Sequence, residues 1–129
     1  MPANALINSL KKRSEFLFVA QGNKASGRFL SLQARKNDST PEIIKYGLTA
    51  SKKVGNAVKR NRAKRRLRVA LNTILSKAGK TGFDYVAIAR PQTIDANWQA
   101  LLDEVDFLVK RLSNTNLNSK ANKRASNAT

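Results

Sequence analysis

Hydrophobic positions recur along this chain with two periods, and each period predicts a different kind of element. From Arg28 to Lys36 the pattern alternates, with Leu30, Leu32 and Ala34 on one side and Phe29, Ser31, Gln33 and Arg35 on the other, as in a strand. Ile43–Ala50 reads as a second strand. The loop Asn37–Pro41 precedes it, so the two are expected to pair as a hairpin. Asp84–Arg90 reads as a third strand, stopped by Pro91. Helical spacing governs the rest. Ala63, Leu67, Ala70, Leu71 and Ile74 form one stripe of a long helix that Asn56 can cap, running to about Lys77 before Gly79 and Gly82. Trp98, Leu101, Leu102, Val105, Val109 and Leu112 form the core face of a last helix, Ala96–Leu112, with Asp95 as its cap. A short helix is expected over Arg13–Gln21, capped by Ser14 and stopped by Gly22, and Gly22–Gly27 is turn-like.

The predicted order is α-β-β-α-β-α. It implies one α+β domain of two layers, a small mixed sheet packed with helices. Residues 1–9 read as a flexible N-terminal arm, 10–112 as the folded domain, and 113–129, rich in Asn, Ser, Ala and Lys, as a disordered basic tail.

Charge changes the picture next. Seven of the ten residues from Lys59 to Arg68 are basic, and no Asp or Glu occurs from Ile43 to Phe83, a span with twelve Lys and Arg. The net charge is +17 over 129 residues. A helix without acids at (i, i+4) to neutralise it repels itself unless a polyanion lies against it, and nucleic acid is the natural polyanion. At 100° per residue, Arg60, Asn61, Lys64, Arg65 and Arg68 fan out on one side of the apolar stripe, with Lys59, Arg62 and Arg66 on the other. One helix therefore presents two positive flanks. Lys52 and Lys53 extend this surface, and the free amides near Asn56–Val58 suit a phosphate.

The chain has no Cys and no His, which excludes a disulfide framework, a zinc ribbon and histidine acid–base chemistry. No apolar run approaches a membrane span, and residues 1–10 do not resemble a signal peptide, so the cytoplasm is the expected compartment. Asp103, Glu104 and Asp106 are the only acid cluster, read as a solvated helix face rather than a metal site. No residue is assigned a catalytic role.

The run from Ser51 to Arg68, with Lys52-Lys53-Val54-Gly55-Asn56-Ala57-Val58 leading into Arg60-Asn61-Arg62, resembles the signature of the bacterial ribonuclease P protein subunit. The resemblance extends over about residues 10–112. It implies an α+β sandwich with a left-handed β-α-β crossover, a hand that general rules would not predict. It also implies an auxiliary subunit of an endoribonuclease that removes the 5′ leader of precursor tRNA, with the chemistry carried by the catalytic RNA and Mg²⁺. The protein itself would bind no cofactor, and its partners would be that RNA and the precursor tRNA, with no membrane and no obligate protein partner. Arg60, Asn61, Lys64, Arg65 and Arg68 are then expected at the leader and adjoining RNA phosphates, and Arg62 and Arg66 at the RNA subunit. Phe16 matches the family's aromatic at the first helix and is the expected stacking residue. Ala20 and Leu32 or Gln33 stand where the family has further aromatics. Phe18, Phe29 and Trp98 read as core.

Three rivals remain on charge alone: a structural, ribosomal-type RNA-binding protein, a metal-dependent nuclease, and a membrane-surface basic helix. The nuclease lacks clustered carboxylates in the basic span, and the helix lacks interfacial aromatics between Asn56 and Lys77.

Overall fold

The computed structural model describes residues 6–114. Its elements are β1 (Leu6–Ser9), α1 (Arg13–Ala20), β2 (Asn23–Ser26), β3 (Leu30–Lys36), β4 (Ile43–Thr49), α2 (Ala57–Ala78), β5 (Phe83–Ala89) and α3 (Trp98–Asn114). Short 3-10 turns at Lys52–Val54 and Pro91–Thr93 precede the two long helices. The strands form one mixed sheet in the order β1-β4-β5-β3-β2.

β5 lies at the centre because, Asp84 apart, its sequence is apolar on both sides, and all its residues but Ile88 are buried. Phe83, Tyr85, Ala87 and Ala89 join Leu30, Leu32, Ala34, Ile44 and Tyr46 in the core beneath α2 and α3. Val86 points the opposite way and packs with Leu10 and Val19 under α1, flanked by Phe16, Phe18 and Ile88. The α+β class stands, with α1 adding a partial third layer. β4 and β5 run parallel as neighbours and are joined through α2, a β-α-β crossover.

Several expectations are corrected. β3 and β4 do not form a hairpin: β5 lies between them, antiparallel to β3 and parallel to β4. The arm expected over residues 1–9 contains β1, which pairs parallel with β4 from Leu6↔Ile43 to Ser9↔Tyr46. The turn-like stretch after Gly22 contains edge strand β2, antiparallel to β3. Both elements are short edge strands whose partners supply the hydrogen bonds, so neither needs an apolar alternation of its own. The last helix extends through Ser113 and Asn114, and the rest of the expected tail lies outside the described residues.

The caps divide in the same way. Asn56 caps α2 as expected, its Oδ1 accepting from the Lys59 amide at 3.0 Å. Ser14 does not cap α1. Glu15 Oε1 instead accepts from the amides of Lys11 and Lys12 at 2.7 and 2.9 Å. Asp95 does not cap α3. Asn97 does, its Oδ1 accepting from Ala100 N at 3.0 Å.

Glu104 ties α3 to the sheet. Its carboxylate accepts from the amides of Arg28, Phe29 and Leu30 at 2.9, 2.7 and 3.0 Å, closing the turn between β2 and β3. Gly27 leaves room for it, since a Cβ there would push that carboxylate off the amides. Replacing Glu104 with Ala strands three amides and is expected to cost about 2–3 kcal/mol, read as a lower urea midpoint at unchanged slope.

The amides of Lys12 and then Lys11, with Lys45 beside them, hold the Glu15 carboxyl at about 2, below its ordinary 4.5. A depressed carboxylate pKa stabilises the fold fully above about pH 4.5, and the gain is lost as pH falls toward 2. Glu15→Gln is therefore expected to lower stability by about 1 kcal/mol at pH 7, the typical value of a helix cap. Melting curves of both proteins should converge as pH falls through that window.

Candidate nucleic-acid interface

Strand register arranges the sheet face beneath α1 into three rows. Lys45, Asp84 and Arg35 stand opposite one another across β4, β5 and β3, then Gly47, Val86 and Gln33, then Thr49, Ile88 and Ser31. α1 crosses the strands along the middle row. Its Phe16 ring lies against Gly47, where a Cβ would fall 2.5 Å from Cε2, and its Val19 packs on Val86. The charged row lies along one flank of α1, and on the other the third row forms a floor with Phe16 above it. Thr49 and Ile88 there are half-buried, while Ser31 is buried and its hydroxyl is 2.9 Å from that of Ser26.

From Thr49 the chain runs through residues 50–56 into α2, so one short connection joins this floor to the basic helix. Ser51 caps the intervening turn by accepting from Lys53 N at 3.3 Å, and Lys52 and Lys53 are exposed. Gly55 adopts φ 143°, a conformation that disfavours side chains, and lies against Lys59. Ala63, Leu67, Ala70, Leu71, Ile74 and Leu75 of α2 are buried. The predicted stripe is therefore the core face, and the cations flank it.

Those cations have two fates. Asn61, Arg62, Arg65 and Arg68 are exposed and Lys64 is half-buried, and no ion pair with a described carboxylate involves them. Arg60 borders the core, and its Nε is buried without a hydrogen-bond acceptor. Asn56 uses its Oδ1 in the cap. Arg66, expected to face RNA, is turned inward. Its Nη1 donates to the carbonyls of Thr93 and Ile94, both at 2.7 Å, and Nη2 to that of Ala96 at 2.6 Å. The chain folds α3 against that flank of α2, so this guanidinium binds protein carbonyls instead of phosphate. Ala96 O is thereby engaged, which fits the start of α3 after Asn97.

The aromatics also divide. Phe16 is half-buried at the edge of the floor. Phe18 packs with the small cluster under α1, and Phe29 with the main core, as expected. Trp98 is not core. It is 38% exposed, and the Arg66 guanidinium lies 5.6 Å from its ring centroid.

The acidic residues of α3 do not converge on a cation position. Glu104 binds three amides, Asp106 pairs with Lys110 at 3.2 Å, and Asp103 accepts from Gln99 at 2.9 Å. This donor set does not fit Mg²⁺. Among the described residues no helix is long and apolar enough to cross a membrane.

Sequence reasoning missed Thr49, Ile88 and the charged row. Strand parity alone puts each of them on the face away from α2. It could have identified them, once β5 was known to lie between β3 and β4.

The family model described as Ribonuclease P matches residues 7–113. The ribonuclease P protein component of Ruegeria pomeroyi is 45% identical over 112 residues, covering 85% of this chain and 90% of the relative. That of Caulobacter vibrioides is 39% identical over 104 residues, covering 81% and 70%. Among solved structures, the RNase P protein from Thermotoga maritima superposes with a TM-score of 0.67 at 24% identity, covering 80% of this chain and 96% of that one. The Staphylococcus aureus protein gives 0.66 at 24% identity, covering 79% and 92%. At that identity the structural likeness is one of fold, and it agrees with what the sequence relatives show: the chain belongs to the ribonuclease P protein family.

Proposed function

We propose that this protein binds the catalytic RNA of ribonuclease P through α2 and holds the 5′ leader of precursor tRNA over the floor of Thr49, Ile88 and Ser31. The assembly then removes the leader endonucleolytically. The RNA subunit carries the chemistry, with Mg²⁺ as its ion, and the protein contributes grip and placement. The work belongs in the bacterial cytoplasm, a setting that a chain without cysteine fits.

The observation that carries this reading is the set of unpaired cations on α2: Arg62, Arg65 and Arg68 are exposed and no described carboxylate pairs with them, so phosphates can reach them. Arg60 begins one flank of that surface. Lys64, Arg65, Arg68 and Asn61 continue along the same flank of α2 toward leader and adjoining RNA phosphates, and Arg62 projects from the opposite flank toward the catalytic RNA. Lys52 and Lys53 extend the positive surface back to the floor. Phe16 offers a ring beside that floor for one unstacked leader base, worth roughly 1–3 kcal/mol. Ala20, exposed one turn after Phe16, adds no second ring.

Reconstitution tests the reading. The purified chain, a bacterial ribonuclease P RNA and a precursor tRNA with a 5′ leader are combined at low Mg²⁺, and leader release is followed. Cleavage should depend on both RNA and protein and should weaken with Arg60→Ala or Phe16→Ala. Tight RNA binding with no stimulation of cleavage would leave a structural RNA-binding role instead.

The two fates of the basic residues separate in a second experiment. Arg65→Ala should lower the salt dependence of RNA binding by about one unit of slope and change stability by less than about 0.5 kcal/mol. Arg66→Ala should do the opposite, costing about 2 kcal/mol of stability through three lost charged hydrogen bonds while the salt slope holds. A slope that falls equally in both variants would return Arg66 to the RNA surface.

A further inference from the structure

The charged row on the far flank of α1 reaches the helix at both ends. Lys45 Nζ lies 3.4 Å from Glu15 in the first turn and 3.7 Å from the buried carboxylate of Asp84. Arg35 stands opposite Asp84 in register yet turns to the helix instead. Its Nη1 donates to Phe18 O at 3.0 Å and to Gln21 Oε1 at 3.3 Å, and its guanidinium lies 4.0 Å from the Phe18 ring centroid.

α1 has no basic residue in its own last turn, so Arg35 supplies from the sheet the cation that a helix C-terminus favours. Just beyond, Gly22 passes so close to β3 that a Cβ would collide with the Ala34 carbonyl. A helix of eight residues is too short to hold its place by its own hydrogen bonds. Its seat is set by these contacts and by Phe16 on Gly47.

We propose that Lys45 and Arg35 are positioning residues for leader recognition. They fix the height and angle of α1 over the sheet, and with them the gap between Phe16 and the floor of Thr49, Ile88 and Ser31. The inference rests on the reading that the leader occupies that gap. Both cations lie on the opposite flank of α1 from the floor, and both are already bound to protein acceptors. They act through the helix and not as phosphate ligands, although a basic side chain beside an RNA path would ordinarily be assigned to RNA.

The test uses holoenzyme reconstituted from the full chain and a bacterial ribonuclease P RNA. Affinity is measured for a precursor tRNA with its leader and for the same tRNA without it, and the ratio gives the leader-dependent gain. Arg35→Gln and Lys45→Met should each reduce that gain about fivefold or more, the low end of what one base–aromatic stack contributes. Affinity for the catalytic RNA should stay within twofold, and Arg35→Lys, which keeps a cation within reach of the Phe18 carbonyl, should recover most of the gain. If Arg35→Gln is unfolded at the assay temperature, Arg35→Lys and Lys45→Met decide the matter.

An unchanged gain in folded variants overturns the proposal. So does a parallel loss of leader gain and RNA-subunit affinity, which would mark a general structural role. Wild-type holoenzyme without any leader-dependent gain would overturn the reading of the cleft, and this proposal with it. A wild-type gain that both variants keep overturns the positioning role alone.

Discussion

Everything in this fold depends on β5 being buried on both faces. A strand alternates its side chains, so a central strand must satisfy two different environments at once. Tyr85, Ala87 and Ala89 meet α2 and α3, while Asp84, Val86 and Ile88 face α1. That second set of three is the site in miniature. Asp84 is buried in the charged row beside Lys45, Val86 is covered by the helix, and Ile88 remains in the open floor. Covering one side of β5 completely and the other incompletely produces both a core and a cleft from seven residues.

The same asymmetry sorts the positive charge. A chain at +17 has more cations than its carboxylates can pair. What decides a given cation's role is which acceptors the fold brings to it. Arg66 meets three carbonyls at the start of α3, Arg35 meets the end of α1, and Lys45 meets Glu15 and Asp84. Arg65, next to Arg66 in sequence, and Arg62, about one turn before it, meet none and remain at the surface. Basic residues one position apart on α2 thus separate into one bound by the fold and one left in solvent, because 100° of rotation moves a side chain from the α3 side to solvent.

This explains what could be read from the sequence and what could not. The stripe of α2, its Asn56 cap, the alternation of β3 and the extent of β4 and β5 follow from local spacing, and each is found within a residue or two of its expected place. The Ser51–Arg68 run carries enough residue-specific pattern to indicate the family. What failed was non-local. No property of Leu6–Ser9 or Asn23–Ser26 alone shows that a neighbouring strand will hydrogen-bond to it. The hairpin of β3 and β4 was the shortest connection available, and it lost to a β5 apolar enough to demand the centre. Glu104 looked like one of three solvated acids until the turn at Gly27 was folded against it. Trp98 has the spacing of a core residue, yet it lies in the first turn of α3, beyond the edge of the sheet core, and covers Arg66 instead.

The placement and shortness of α1 shape this face of the sheet. α1 runs along the middle row of this face, so it covers Gly47 and Val86 and leaves the third row beside it. Thr49 and Ile88 of that row stay half-buried, and a helix of eight residues gains little from its own hydrogen bonds. The chain offsets this with a carboxylate at one end and a guanidinium from β3 at the other, both placed on the flank away from the opening. Openness on one side and ionic attachment on the other are therefore a single solution. The charges that seat α1 are kept off the surface where a polyanion would compete for them, and the apolar edge that remains, with Phe16 and Ile88 half-buried against the Val86 cluster, is the part of the sheet face best suited to an unstacked base.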